Sequence, residues 1–278
     1  MTLQEAWAVY ESDKRLLGYS VHTLKAYQVQ LRLIQRHLGN VEVDTITLAQ
    51  LKEYLGAQRH LKPASLGHRI RFIRGYFRWL HEEGIVTKNA AARLREPKMG
   101  TRLPKALSEE DMETLREACV GAFEHSLVEF FYSTGCRIGE VAGLNRHNID
   151  WESRSVIVLG KGDKEREVYF TIRCSLWLRR YLAAREDNES ALFVTERKAH
   201  RMSIATLRFH LKRIAQQADV KTNIYPHKLR HSYATHLLNN GAPMEAIQSL
   251  LGHEKIDTTK IYAQLSGQRR KELYQKYF

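Results

Sequence analysis

Two apolar stripes constrain the first part of this chain more than any other feature. Leu24, Tyr27, Leu31, Ile34 and Leu38 recur at steps of 3, 4, 3 and 4 residues. Leu66, Ile70, Ile73, Phe77 and Leu80 recur at steps of 4, 3, 4 and 3. That period lines each set along one side of an α-helix; side chains of a strand would alternate every second residue. Thr2 with Glu5, and Thr47 with Gln50, have the spacing of a helix-starting capping box. Residues 1–95 are therefore expected to form an all-helical unit.

Both stripes have a basic opposite side. Lys25, Arg32 and Arg36 flank the first, and Arg71, Arg74 and Arg78 flank the second. One such side by itself reads first as solvated helix surface. Two within one small unit point toward the DNA backbone and grooves. The bulk charge agrees. The 278 residues carry a net charge of +13. Residues 1–107 hold 18 Lys and Arg against 9 Asp and Glu, a net +9, and the remainder is net +4. A basic chain of ordinary apolar content suggests a polyanionic partner. No apolar run reaches the length of a membrane span, and no signal pattern opens the chain, so no membrane partner and a cytoplasmic location are expected. Cys119, Cys136 and Cys174 are odd in number and far apart, which suggests reduced thiols.

The stretch REPKMGTRLPKAL, 95–107, has two prolines, one glycine and no period. It reads as a linker, taken as 96–107, leading to a second domain at 108–278. Ser108 with Asp111 opens a new helix. SVIVL at 155–159 and EREVYF at 165–170, joined by GKGDK, form a hairpin signal, and Leu192–Val194 is a candidate third strand. Helical patterns follow at about 203–218, 227–240 and 243–251. The expected class is mainly α with a small antiparallel β element.

NIYPHKLRHSYATHLL, 223–238, gathers His227, Arg230, His231 and His236 behind a proline. A metal site, a phosphate clamp and a helix of structural histidines all fit such a cluster. His227 and His231 have the spacing of a zinc-protease helix, but Lys228 stands where that motif needs glutamate, and Arg230 would repel a cation. No metal is expected. His227 and Arg230, at i and i+3, neighbour on one face near a helix start, where free N–H groups favour an anion.

Other stretches favour the phosphate reading. STGCRIGEVAGL places Arg137 after Gly135, with Glu140 one turn later to orient it. GKGDK sets Lys161 between glycines. LLGHEKIDTTKIY holds His253 and then Tyr262. Lys161 follows Arg137 by 24 residues, His253 follows Arg230 by 23, and Tyr262 follows His253 by 9. This ordered set resembles the tyrosine recombinase (phage integrase) family, in particular its short two-domain Xer-like members, and the resemblance covers nearly the whole chain.

The resemblance implies a core-binding (SAM-like) helical domain and a mixed α/β catalytic domain. It implies site-specific recombination through a 3′-phosphotyrosyl intermediate and a Holliday junction, without metal or nucleotide cofactor. Arg137, Lys161, His227, Arg230, His253 and the nucleophile Tyr262 would be catalytic, with Glu140 in support. The substrate would be double-stranded DNA with paired core sites, bound by a homotetramer whose tail, 263–278, is exchanged between subunits. Chemistry agrees with the list. Two guanidiniums suit the growing charge on a phosphodiester's non-bridging oxygens. Imidazoles can donate or shuttle protons, and a cationic pocket favours a phenolate. His231 and His236 read as structural. A type IB-like topoisomerase shares the chemistry, and an inactive DNA-binding regulator would share the fold.

Overall fold

The computed structural model describes residues 1–98, 100, 106–160, 164–220 and 222–252. Lys161, His253, Tyr262, the tail 263–278 and part of the expected linker lie outside the described residues. The chain divides into two compact units, Met1–Arg102 and Leu103–Phe278.

The first unit is helical, with α1 (Leu3–Leu16), α2 (Val21–Leu38), α3 (Leu48–Gly56) and α4 (Pro63–Glu82). The capping boxes at Thr2/Glu5 and Thr47/Gln50 are both formed. Pro63 occupies the first turn of α4, where its missing N–H is not needed. Gly39, at φ +80°, ends α2 in a conformation that favours glycine. Both stripes point inward as expected. Leu24, Leu31, Ile34, Ile70, Ile73, Phe77 and Leu80 are buried, while Tyr27, Leu38 and Leu66 are half-buried. Trp7, Tyr10 and Tyr76 complete this core, with Tyr10 meeting Tyr76 edge-on at 5.1 Å.

Lys25, Arg32, Arg36, Arg71, Arg74 and Arg78 are all exposed. Two of them already face a carboxylate: Arg71 Nη1 lies 2.5 Å and Arg74 Nη1 3.9 Å from Glu96. The first residue of the expected linker is thus tied to α4.

The second unit comprises α5 (Glu109–Glu117), α6 (Gly121–Thr134), α7 (Ile138–Gly143), β1 (Ile149–Asp150), β2 (Ser155–Leu159), β3 (Glu165–Tyr169), α8 (Ile172–Ala183), α9 (Ile204–Gln217), α10 (Pro226–Asn239) and α11 (Met244–Leu251). Among the described residues the fold is mainly α with one small antiparallel sheet. Helix α6 sits at its centre, packed on α8, α9 and α10, with Leu127, Phe130 and Phe131 fully buried. Its inward carboxylates are matched: Glu129 accepts from Arg116 at 2.5 Å and Glu124 from Arg213 at 2.6 Å. A buried charge is tolerated only with such a partner.

The expected hairpin is present, with Val156 opposite Val168 and Leu159 opposite Glu165. Two details differ from the sequence reading. The sheet gains the short strand β1, with Ile149 opposite Val156. Leu192–Val194 is not a strand: Leu192 donates to Leu144 O while Phe193 O accepts from Met202, so its two sides serve different loops. Cys119, Cys136 and Cys174 are free and buried.

Candidate active site

The site is built where three stretches of the second unit meet the end of α11. The first is the turn after α6. Gly135 closes α6 at φ +61°, and a Cβ there would meet Tyr233 Cδ1 at 2.5 Å. No other residue fits without moving the tyrosine. The turn makes Arg137 the N-cap of α7, and Glu140 completes a capping box: its Oε2 accepts the Arg137 backbone N–H at 2.7 Å. Oε1 accepts from Arg137 Nη1 at 2.9 Å. Glu140 thus orients Arg137, as the spacing suggests. The Arg137 side chain keeps 34% exposure.

The second stretch is β3. Arg166 donates through Nη1 and Nη2 to both oxygens of Glu140, at 2.8 Å each. Burial alone would raise the Glu140 pKa, but hydrogen bonds from Arg166 and Arg137 outweigh it and hold the carboxyl below its usual range. The hairpin turn before β3 is closed by Gly160 N–H donating to Lys164 O at 2.8 Å. Lys161 itself belongs to the residues not described.

The third stretch is α10, entered at Pro226. Arg230 is buried and donates to Gly135 O and Leu251 O, each at 2.6 Å. His227 is exposed on the first turn. Its imidazole is pushed below the ordinary pKa, first by desolvation and then by Arg230, Arg137 and Arg208. Arg230 follows His227 by three residues on the same helix, and the charge of Arg137 adds to that of Arg230 at the imidazole. Of the histidines read as structural, His231 is buried. His236 packs between elements: its Nε2 donates to Leu107 O at 2.8 Å, leaving Nδ1 to accept from Tyr132 Oη at 2.6 Å. Ser232 Oγ accepts the Leu107 N–H at 2.8 Å, so both backbone polar groups of Leu107 are held by α10.

The last turn of α11 presents carbonyls with no partner further along the helix. Leu250 O accepts from Arg166 Nε at 3.1 Å, Leu251 O from Arg230 Nη2 at 2.6 Å, and Gly252 O from Arg137 Nη2 at 3.4 Å. Three guanidiniums from three elements converge on this negative helix end, where cations are favoured.

Sequence reasoning missed Arg166 and Arg208. A signal for Arg166 existed. Strand alternation puts it on the same side as buried Val168, and an inward arginine requires a carboxylate. Arg208, whose charge also acts on His227, carried no comparable signal, because it lies on a different helix, α9.

The phage integrase family model matches residues 102–269, and the model of the phage integrase N-terminal SAM-like domain matches residues 14–84. The chain belongs to the phage integrase family. It is a tyrosine recombinase, an enzyme of site-specific DNA recombination. It is 33% identical over 277 residues to tyrosine recombinase XerC of Alcanivorax borkumensis, covering 95% of this chain and 89% of that one. It is 34% identical over 275 residues to tyrosine recombinase XerD of Ralstonia nicotianae, covering 94% and 89%. The fold resembles that of a lambda integrase (75–356) dimer bound to a COC′ core site, with TM-score 0.78, 19% identity and coverage of 93% and 97%.

The electrostatics of the recombinase make a pH-dependent prediction. Desolvation and three cations all favour the neutral imidazole, so His227 in the free protein should titrate below the ordinary value of about 6.5. Bound DNA adds negative charge and should move that midpoint upward. NMR titration of His227 with and without a duplex checks this; a midpoint unchanged or lowered by DNA would mean that the ring faces away from phosphate.

Proposed function

We propose that this recombinase cleaves and rejoins DNA at specific core sites through Tyr262. The phenolate oxygen attacks phosphorus, the bond from phosphorus to the 5′-oxygen breaks, and a 3′-phosphotyrosine is left with a free 5′-hydroxyl. The Lys161 ammonium gives the leaving oxygen its proton. Arg137 and Arg230 hold the non-bridging oxygens, His227 and His253 donate to them or carry protons, and Glu140 keeps Arg137 aimed. The covalent link conserves bond energy, so a 5′-hydroxyl from a second duplex can reseal the strand and build a Holliday junction. No metal or nucleotide cofactor takes part. One observation carries this reading: Arg137 and Arg230 converge on adjacent carbonyls, Gly252 and Leu251, within electrostatic reach of His227. Incubation with a supercoiled plasmid bearing two core sites tests it. Deletion or inversion is expected; relaxation alone would indicate a topoisomerase, and an untouched plasmid a binding protein.

Residues 1–95 would form the core-binding domain, 96–107 the connection and 108–278 the catalytic domain, working in the cytoplasm on paired sites as a homotetramer. The core-site DNA bound by the lambda integrase dimer supports action on core sites. Lys25, Arg32, Arg36, Arg71, Arg74 and Arg78 would contact the DNA backbone; their exposure on helices whose other sides form the core supports this reading. Replacing Arg71, Arg74 and Arg78 with alanine should flatten the dependence of log affinity on log salt by about 0.9 for each phosphate that is no longer neutralised. An unchanged slope would place this face away from DNA.

The tail 263–278 would pack on a neighbouring subunit, using Leu265, Leu273, Tyr274, Tyr277 and Phe278. Deleting 267–278 should spare single-site binding and abolish tetramer assembly on paired sites. Sedimentation showing normal assembly of the truncated protein would remove this role.

A further inference from the structure

Of the three guanidiniums at the end of α11, Arg137 and Arg230 belong to the proposed phosphate clamp. Arg166 has no part in that scheme, yet all three nitrogens of its guanidinium are engaged. Its two terminal nitrogens embrace the Glu140 carboxylate at 2.8 Å each, and its Nε holds Leu250 O at 3.1 Å. Glu140 is also the carboxylate that grips Arg137. Arg166 follows Lys161 by five residues, on the strand that leaves the GKGDK turn. Its stem lies against Gly252, which sits at φ +64°; a Cβ at that position would meet Arg166 Cδ at 2.8 Å. The glycine therefore lets the side chain lie against the end of α11, and the chain continues from there toward His253 and Tyr262.

We propose that Arg166 is a positioning residue for strand cleavage. It fixes the hairpin that carries Lys161 against two supports: the carboxylate that aims Arg137, and the last turn of α11, whose carbonyls hold Arg230 and Arg137. The bidentate fork matters as much as the charge. A lysine at this position would keep the cation but could not span both oxygens of Glu140 and reach Leu250 O as well. A buried ion pair serving stability alone would show its loss in melting temperature and not in the rate of trapping. This inference rests on the reading of Arg137, Arg230 and Lys161 as cleavage residues.

The test uses the full chain and a nicked suicide duplex that traps the covalent adduct. Four quantities are measured: DNA affinity, melting temperature, the final fraction of protein trapped and the rate constant of trapping. Arg166→Met should bind DNA within about twofold of wild type and reach the wild-type endpoint, but about 100-fold more slowly, the usual cost of misplacing reacting groups by an ångström. Arg166→Lys should recover about tenfold of that loss. Glu140→Gln added to Arg166→Met should slow trapping by less than the product of the two single effects, since the Arg166–Glu140 linkage is common to both. A wild-type rate in Arg166→Met overturns the proposal. So does a defect that appears only as a lower endpoint with a lower melting temperature, or a fully additive double variant. Should Arg166→Met fail to fold, Arg166→Lys decides alone: about tenfold slower trapping at full endpoint supports the role, and a wild-type rate removes it. Arg137→Ala, run in parallel, separates the two readings. If it cleaves normally, the clamp assignment fails whatever Arg166 does.

Discussion

Tyr262→Phe is expected to form no covalent adduct with DNA while binding its site within about twofold of wild type. The substitution removes one oxygen and keeps the ring, so DNA binding should survive and only the proposed nucleophile would be lost. A free tyrosine, with a pKa near 10, is almost wholly protonated at neutral pH. The converging guanidiniums of Arg137 and Arg230 would supply the positive field that favours its phenolate. A suicide duplex nicked beside the cleavage point should trap wild type as a denaturant-stable complex and leave the variant free. If the variant is trapped as well, another tyrosine attacks, and Tyr274 is the first to examine.

The second large effect concerns the leaving group. Lys161→Ala should cleave ordinary DNA roughly 10²–10⁴-fold more slowly, the range that a general acid supplies. An alkoxide is a strong base and departs slowly without a proton. A thiolate needs none. The same variant should therefore cleave a duplex with a 5′-bridging sulfur at close to the wild-type rate. Arg137→Ala should stay defective on both substrates, because a guanidinium on the non-bridging oxygens is needed whichever atom leaves. Its fold should hold, since Glu140 keeps both bonds from Arg166. Absence of sulfur rescue in Lys161→Ala would limit the lysine to binding DNA and turn attention to His227 as the acid.

Much of the fold was legible because local signals and burial agreed. The stripes on α2 and α4 needed only the helical period, and the three capping boxes at Thr2, Thr47 and Ser108 needed only spacing. The hairpin was legible from alternation on either side of GKGDK. What failed was decided by partners distant in sequence. Leu192–Val194 has the composition of a strand, but its hydrogen bonds go to Leu144 and Met202, so no ladder forms. The site divides in the same way. The i, i+3 pairs His227/Arg230 and Arg137/Glu140 are local and were visible. The carbonyls of Leu250, Leu251 and Gly252 are backbone atoms common to every residue, so no sequence pattern marks them as the meeting point of three arginines.

The grip of α10 on Leu107 bears on engineering. Chimaeric recombinases, made by grafting a foreign targeting module onto this catalytic unit, need a seam that leaves the catalyst undisturbed. A seam placed after Leu107 would discard the residue whose N–H and C=O are held by Ser232 and His236, two and six positions beyond Arg230 on the same helix. The vacated serine and imidazole would be left without Leu107, and the disturbance would be felt on the helix that presents Arg230. A seam upstream of Ala106 keeps that fastening intact.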